Sequence, residues 1–345
     1  MRKSWIVETE GKPLQAVNNL FIELWQGLKI QHMLLPLKDP EENTWSTEEI
    51  SDPNFLHRSN PFTPLMLENI AQKIPAFQNA HPGEKIAVLL RPCEISALNK
   101  INQKVSLDRE NLVIFCADCL GTYPSDEFSW RAERKGSHEI LTEENLKFSK
   151  LGGISHYRYR SSCQLCKSPI ANQADININI AGIPVRHVII VSTYNGINKH
   201  IQMDDFTDGQ ASEEIVALHD QISEKMIYRN EQTRNRLSEA LVDNTQLNLD
   251  NLVEQLNECG ECQNCINVCP ICNLFDFSRD EDGSISRKVV ADWMVECVGC
   301  GMCEQACLKH KPLAVMLFFD KVNLQSNRQF LMFLDRYEPQ EQDSI

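Results

Sequence analysis

Eight cysteines in the last third of the chain fall into two runs of near-identical spacing, Cys259-x2-Cys262-x2-Cys265-x3-Cys269-Pro270 and Cys297-x2-Cys300-x2-Cys303-x3-Cys307. Three thiolates at this spacing on a tight turn can each reach a different iron of one cubane, which leaves the fourth iron to a distant cysteine. The pattern is ligand spacing for a pair of [4Fe–4S] clusters, and electron transfer is the first functional expectation. The alternative is a zinc-binding structural or assembly protein without redox activity. Zinc also takes Cys-x2-Cys pairs, but its four-thiolate cages need only two pairs and have no use for the third and fourth cysteine of each run.

In two-cluster ferredoxins the fourth cysteine of each run ligates the other cluster. Applied here, Cys259, Cys262 and Cys265 share one cluster with Cys307, while Cys297, Cys300 and Cys303 share the second with Cys269. The runs depart from the small ferredoxin pattern in two ways: Leu308 stands where a second proline would follow, and residues 270–296 separate them. That insertion resembles the dicluster domains of respiratory subunits. Cys272 reads as a buried small apolar residue.

Fourteen cysteines without an export signal point to metal in a reducing, anaerobic setting and not to a disulfide framework. The N-terminus, MRKSWIVETE, meets acidic residues before a signal-peptide core could form, so a cytoplasmic location is expected. No apolar run approaches the roughly eighteen residues of a membrane span. A formal charge of −14 disfavours nucleic acid and anionic membranes. The short basic clusters Arg131 to Lys135 and Arg158 to Lys167 read as solvated surface.

At 345 residues the chain has room for two domains. Periodicity predicts a helix over 14–28, a buried strand over 32–37, a helix over 64–74, and then strand (85–91), helix (94–105) and strand (111–115). Strand–helix–strand implies a parallel α/β sheet, with Cys93 and Cys119 near the carboxyl ends of neighbouring strands, where such sheets place ligands. Further strands are expected at 176–180 and 188–191. A long helix over 211–242 is expected to bury Ile215, Leu218, Ile222, Met226 and Ile227, and two more helices are placed at 249–257 and 314–322. The fold class is therefore α/β: an N-terminal body with a mixed or parallel sheet (1–208), a helical connector (209–248), a C-terminal helical dicluster ferredoxin-like domain (249–325) and a tail (326–345).

Three further segments, RPCEISAL (91–98), CLGTYP (119–124) and CQLCKSPIANQADININIAG (163–182), resemble in this order the beta subunits of coenzyme F-420 hydrogenases and dehydrogenases, which include formate dehydrogenase beta subunits. The resemblance implies a third [4Fe–4S] cluster on Cys93, Cys119, Cys163 and Cys166, with Cys116 a spare; a structural zinc on the same four thiols stays open. It also implies FAD in the α/β body, exchange with a deazaflavin, and a catalytic partner subunit of a redox complex such as formate dehydrogenase or hydrogenase. The sequence departs from the family with Arg91-Pro92-Cys93-Glu94 where deazaflavin-reducing members have Gly-Thr-Pro-Cys-Gln, and it has no Gly-x-Gly-x-x-Gly. Arg91 is expected to pair with Glu94 or another carboxylate, or else to meet a flavin phosphate. Asp292, Glu296 and Glu304 lie beside the second run, on exposed helix faces or as negative charge near its cluster. No catalytic side-chain constellation is recognisable.

Overall fold

A computed structural model describes residues 2–41, 44–153, 158–194, 202–242, 249–259, 262–274, 283–314 and 316. Its body is one seven-stranded mixed sheet with strand order β1-β7-β6-β5-β4-β2-β3. The strands are β1 (Arg2–Glu8), β2 (His32–Lys38), β3 (Trp45–Ile50), β4 (Ile86–Leu90), β5 (Leu112–Ala117), β6 (Ile176–Asn179) and β7 (Val188–Tyr194). The four central strands run parallel, while β1, β7 and β3 add antiparallel edges.

The centre of the sheet follows directly from sequence. β4 (IAVLL) and β5 (LVIFCA) are buried at every position, the continuous apolar pattern of a parallel strand covered on both faces. Alternation then divides them. Ala87, Leu89, Val113 and Phe115 face helix α1 (Pro13–Leu28) through Phe21 and Leu24, whereas Val88, Leu90, Ile114 and Cys116 face the opposite core. That second core is closed by helices α2 (Ile74–Ala80) and α3 (Pro92–Lys104) through Ile74, Phe77, Ile95, Leu98 and Ile101. Cys116 is thus a core residue, fully buried on the α3 side.

The helix expected over 64–74 does not form. Residues 64–69 are irregular, a one-turn 3-10 helix covers Ile70–Lys73, and α2 begins only at Ile74. The backbone of this stretch is committed to distant partners: the carbonyls of Thr63 and Leu65 accept from Arg91, that of Pro64 from Tyr123 N–H, and that of Met66 from Gln305. Acceptors used this way are lost to an i→i+4 ladder.

After β5 come α4 (Ser125–Lys135), α5 (His138–Lys147) and the one-turn α6 (Ser161–Gln164). Helix α7 (Glu213–Val242) then lies along the body. Its buried face differs from the expected apolar stripe: Ile222 and Met226 are buried with His219, Ser223 and Asn230, while Leu218 and Ile227 are exposed. His219 and Asn230 can be buried because each finds a partner in the body, Ser223 lies against His219 on the same helix, and two glycines admit the helix. A Cβ on Gly182 (φ +79°) would lie 2.9 Å from the Leu218 carbonyl oxygen, and one on Gly152 (φ +68°) 2.3 Å from Met226.

The C-terminal region is helical. Helix α8 (Leu249–Asn257) packs on α10 (Arg287–Glu296) around Leu252, Leu256, Val290, Trp293 and Met294. The one-turn helices α9 (Asn264–Asn267) and α11 (Met302–Gln305) carry Cys265 and Cys303. The helix expected over 314–322 and the tail at 326–345 fall almost wholly outside the described residues. No helix among the described residues is long and apolar enough to cross a membrane.

Candidate metal centre

Four cysteines from three separate stretches of the chain, Cys93, Cys119 and the pair Cys163 and Cys166, line one pocket of the body. Cys93 sits in the first turn of α3 just beyond β4, and Cys119 lies two residues beyond the end of β5. Both therefore emerge at the carboxyl edge of the parallel strands. Cys163 is in α6, and Cys166 follows it on a turn closed by its N–H to the Cys163 carbonyl.

Asp118 holds these pieces together. Its fully buried carboxylate accepts from the backbone of Ala171, Ile180 and Ala181, from Asn179 Nδ2 and from His219 Nε2 at 3.1 Å. The loop from Cys163 to Gly182 is thereby tied to the residue preceding Cys119, and α7 is fastened to both. Burial opposes the Asp118 charge, but His219 and the backbone donors outweigh it and hold the carboxyl below its ordinary range. His219 is held above its ordinary value because Asp118 and Asp220 overcome the effect of burial. Further along α7, Arg229 donates to the carbonyls of Gly152 and Gly153, Asn230 to that of Cys166 and Arg234 to that of Leu165.

Two arginines face the thiols. The Arg91 guanidinium donates to the carbonyls of Thr63 and Leu65 and lies 3.7 Å from Cys119 Sγ. Glu94 accepts from the Arg91 backbone N–H and not from its side chain, which corrects the expected pairing of the two side chains. Arg160 belongs to a cluster expected to be solvated, yet it is only 7 % exposed. Its guanidinium donates to the Cys300 carbonyl and contacts Cys163 Sγ and the sulfurs of Met66 and Met302. Among the described residues no carboxylate lies within ion-pair distance of Arg160, and its Nε has no hydrogen-bond partner.

The thiols are unequal. Burial pushes Cys93 and Cys119 up, and Cys166 up to about 12. Burial acts on Cys163 as well, but Arg160 and Thr122 outweigh it and hold this thiol below its ordinary value.

In the C-terminal region the cysteines of the two runs lie close enough to act on one another's charge. Cys265 is pushed up to about 11 by burial and then by the neighbouring charges of Cys259, Cys307 and Cys262. Cys303 is raised by burial and then by Cys297, Cys300, Cys269 and Cys265. Cys307 is thus near Cys265 of the first run, and Cys269 near Cys303 of the second. Backbone N–H groups point at several of these sulfurs: Cys272 to Cys269, Gly299 to Cys297 and Lys311 to Cys307, each at 3.4 Å. Cys272 itself is buried in the local core.

Cys300 also lines the body pocket, so the second run and the four dispersed thiols meet there. Glu304 accepts from Ser161 Oγ at 2.6 Å, and Glu296 pairs with Lys100 at 2.8 Å. These two acids of the second run fasten the C-terminal region to the body.

No protein-family model and no curated protein matches the chain. Among solved structures, one chain of the F420-reducing [NiFe] hydrogenase complex from Methanosarcina barkeri, from a xenon-derivatisation study, is similar over 68 % of this chain and 91 % of its own, with a TM-score of 0.47 and 10 % sequence identity.

The donor set bears on which group these thiols suit. A tetrahedral zinc–thiolate site with bonds of about 2.3 Å needs sulfurs about 3.8 Å apart. Among the described residues, only His32, His81 and Glu84 bring three potential ligand atoms within 4.8 Å of one another; no three cysteine sulfurs do. Burial opposes the Arg160 charge, but the neighbouring Cys163, Cys93 and Cys300 outweigh it and hold the guanidinium above its ordinary value, so this cation suits an anionic group where these thiols converge. Thiols spread more widely than one ion's shell fit a multi-iron cluster better than a single zinc ion.

Sequence reasoning missed Arg160 and the Asp118–His219 pair. A faint signal existed for Asp118, an acid directly between a buried apolar strand and a candidate ligand.

Proposed function

We propose that this chain is an electron-transfer subunit of a larger oxidoreductase. Cys259, Cys262, Cys265 and Cys307 hold one [4Fe–4S] cluster, Cys297, Cys300, Cys303 and Cys269 a second, and Cys93, Cys119, Cys163 and Cys166 a third. Bound there, such clusters supply one-electron transfer at potentials set by charge, hydrogen bonds to sulfur and burial. Substrate oxidation, of formate or hydrogen in the reading that the family resemblance suggests, takes place in a partner chain that is the catalytic subunit of the complex.

The observation that carries this reading is the shared pocket. Cys300 of the second run and the four body cysteines line it together, with buried Arg160 between them. The residues have separable tasks. The thiols of all three sets serve as thiolate ligands. Arg160 supplies positive charge to Cys163 and to the Cys300 loop, and Arg91 supplies it to Cys119. The amide groups of Cys272, Gly299 and Lys311 donate to thiolate sulfurs and so moderate their charge. Met66, Leu120 and Tyr159 form part of the pocket wall.

The family resemblance also implies FAD in the α/β body; the Arg91 guanidinium is engaged with Cys119 and two carbonyls and is not assigned to a flavin phosphate. The test is anaerobic quantification of iron, acid-labile sulfide and flavin on the purified complex. About 12 iron and 12 sulfide per chain are expected. A colourless protein that contains zinc and no labile sulfide would overturn the proposal in favour of a structural zinc protein. Stoichiometric flavin would extend it to hydride transfer.

A further inference from the structure

At the other end of the parallel strands from the cysteine pocket, two histidines and two glutamates converge from four different elements. His32 is the first residue of β2, Glu49 lies on β3, His81 caps the C-terminal end of α2, and Glu84 stands two residues before β4. The imidazoles of His32 and His81 stack with centroids 3.8 Å apart and planes inclined by 26°. Every ring nitrogen faces a carboxylate oxygen. His32 Nε2 is 3.0 Å and His81 Nδ1 3.6 Å from Glu84 Oε2. His32 Nδ1 is 3.0 Å and His81 Nε2 2.8 Å from Glu49 Oε1.

Proton counting gives this arrangement a cost in either protonation state. A neutral imidazole has one N–H and one lone pair. Two neutral rings supply two protons to four N···O contacts, so two contacts oppose lone pair to lone pair. Charging both rings supplies a proton to all four contacts and balances the two carboxylates, but it stacks two cations face to face at 3.8 Å. The strain shows at His32 Nδ1, which is buried and lacks a partner in hydrogen-bond geometry. A cation among the lone pairs on one side resolves the conflict and sends both protons to the other.

We infer that His32 Nε2, His81 Nδ1 and Glu84 Oε2 form a binding site for a divalent transition metal, with Zn2+ the best match to two imidazoles and one carboxylate. These three residues are the group whose ligand atoms lie within 4.8 Å of one another. Two histidines with one glutamate is an established zinc donor set that leaves a fourth position open. Metal on those nitrogens parts the stacked rings and leaves their other N–H groups on the Glu49 side, where Glu49 Oε1 lies 2.8 Å from His81 Nε2 and orients that ligand from behind. The ion ties the β2–β3 edge of the sheet to α2 and to the start of β4. The site is independent of the cysteine centres.

The test uses the full chain, purified anaerobically with its native metal content, equilibrated with Zn2+ and dialysed. Zinc-edge X-ray absorption should show nitrogen and oxygen scatterers at about 2.0–2.1 Å. Metal analysis should show about one zinc per chain fewer in the His32→Gln/His81→Gln variant, with iron unchanged. Glu84→Gln, the gentler substitution if the double variant does not fold, should also lose the zinc, and Glu49→Gln should weaken binding about 10- to 100-fold. A wild-type zinc shell of sulfur alone, no retained zinc, or wild-type zinc content in Glu84→Gln with nitrogen and oxygen ligation intact would overturn the site.

Discussion

The two cysteine-bearing regions reach similar thiol sets by opposite routes. In the C-terminal region short loops around one-turn helices present the ligands, and each run of three is placed by chain spacing alone. In the body no two of Cys93, Cys119 and Cys163 are local, and their convergence depends on the order of β4 and β5, on the loop wrapped around Asp118, and on α7. A site assembled by local turns should tolerate damage to the sheet, whereas one assembled by long-range contacts should not. Metal held in the body is therefore the more sensitive report on tertiary structure.

The largest effect is expected from Asp118→Ala, which removes the common acceptor of four donors and of His219. Stability measured by anaerobic denaturation should fall by about 3–5 kcal/mol, as for other broken buried pairs, and about a third of the iron should be lost from the body alone. Equal losses from both regions would erase the contrast. Next, Cys163→Ser should cost about four irons of about 12 without altering the spectra of the C-terminal clusters. In the other region, Cys307→Ser should disturb the cluster assigned to Cys259, Cys262 and Cys265. A loss confined to the Cys297–Cys303 set would break the crossed arrangement.

Arg160→Gln acts where the two regions meet. Removal of a buried positive charge disfavours an added electron, so the potentials of the body and second-run clusters should fall by on the order of 50 mV while the first-run cluster stays within error. A uniform shift of all three would place Arg160 outside the shared pocket.

The smallest effect is pH-dependent and belongs to the body. His219 is held above its ordinary value, so its contribution is complete below about pH 6.5 and is lost as pH rises through its folded value. Asp118 is held below its ordinary value, so its contribution is present above about pH 4 and is lost as pH falls through its folded value. His219→Gln should therefore cost about 1–3 kcal/mol near pH 6 and less at pH 9, as read from denaturation midpoints. A cost that is flat with pH would mean that the pair is held by packing and not by charge.

Much of the scaffold was legible because burial leaves a periodic trace. β4, β5 and α1 announce themselves by continuous or helical apolar spacing, and the ligand thiols by residue type. β1 and β3 escaped notice because edge strands alternate with polar residues that face solvent; RKSWIVE and WSTEEI carry little apolar signal. The segment over 64–74 looked helical because its apolar residues recur at helical spacing, but its carbonyls serve Arg91, Tyr123 and Gln305. On α7 the misjudged face has the same origin: His219 and Asn230 are polar by type and buried by partnership.

Arg160 shows where a linear reading stops. Within RYRSSCQLCK it is one cation among several, and nothing local separates it from exposed Arg158, which pairs with Glu127. Its burial arises only when the Cys300 loop closes over it. The sequence by itself determined how many thiols there are, which are close enough along the chain to share a turn, and which strands lie at the centre, since these depend on spacing and side-chain type. Only the tertiary structure decided that Cys116 points into the core while Cys119 faces the pocket, that Arg160 stands between two thiol sets, and that His32 stacks on His81. Those outcomes depend on contacts between segments tens to hundreds of residues apart, whose energies no local pattern records.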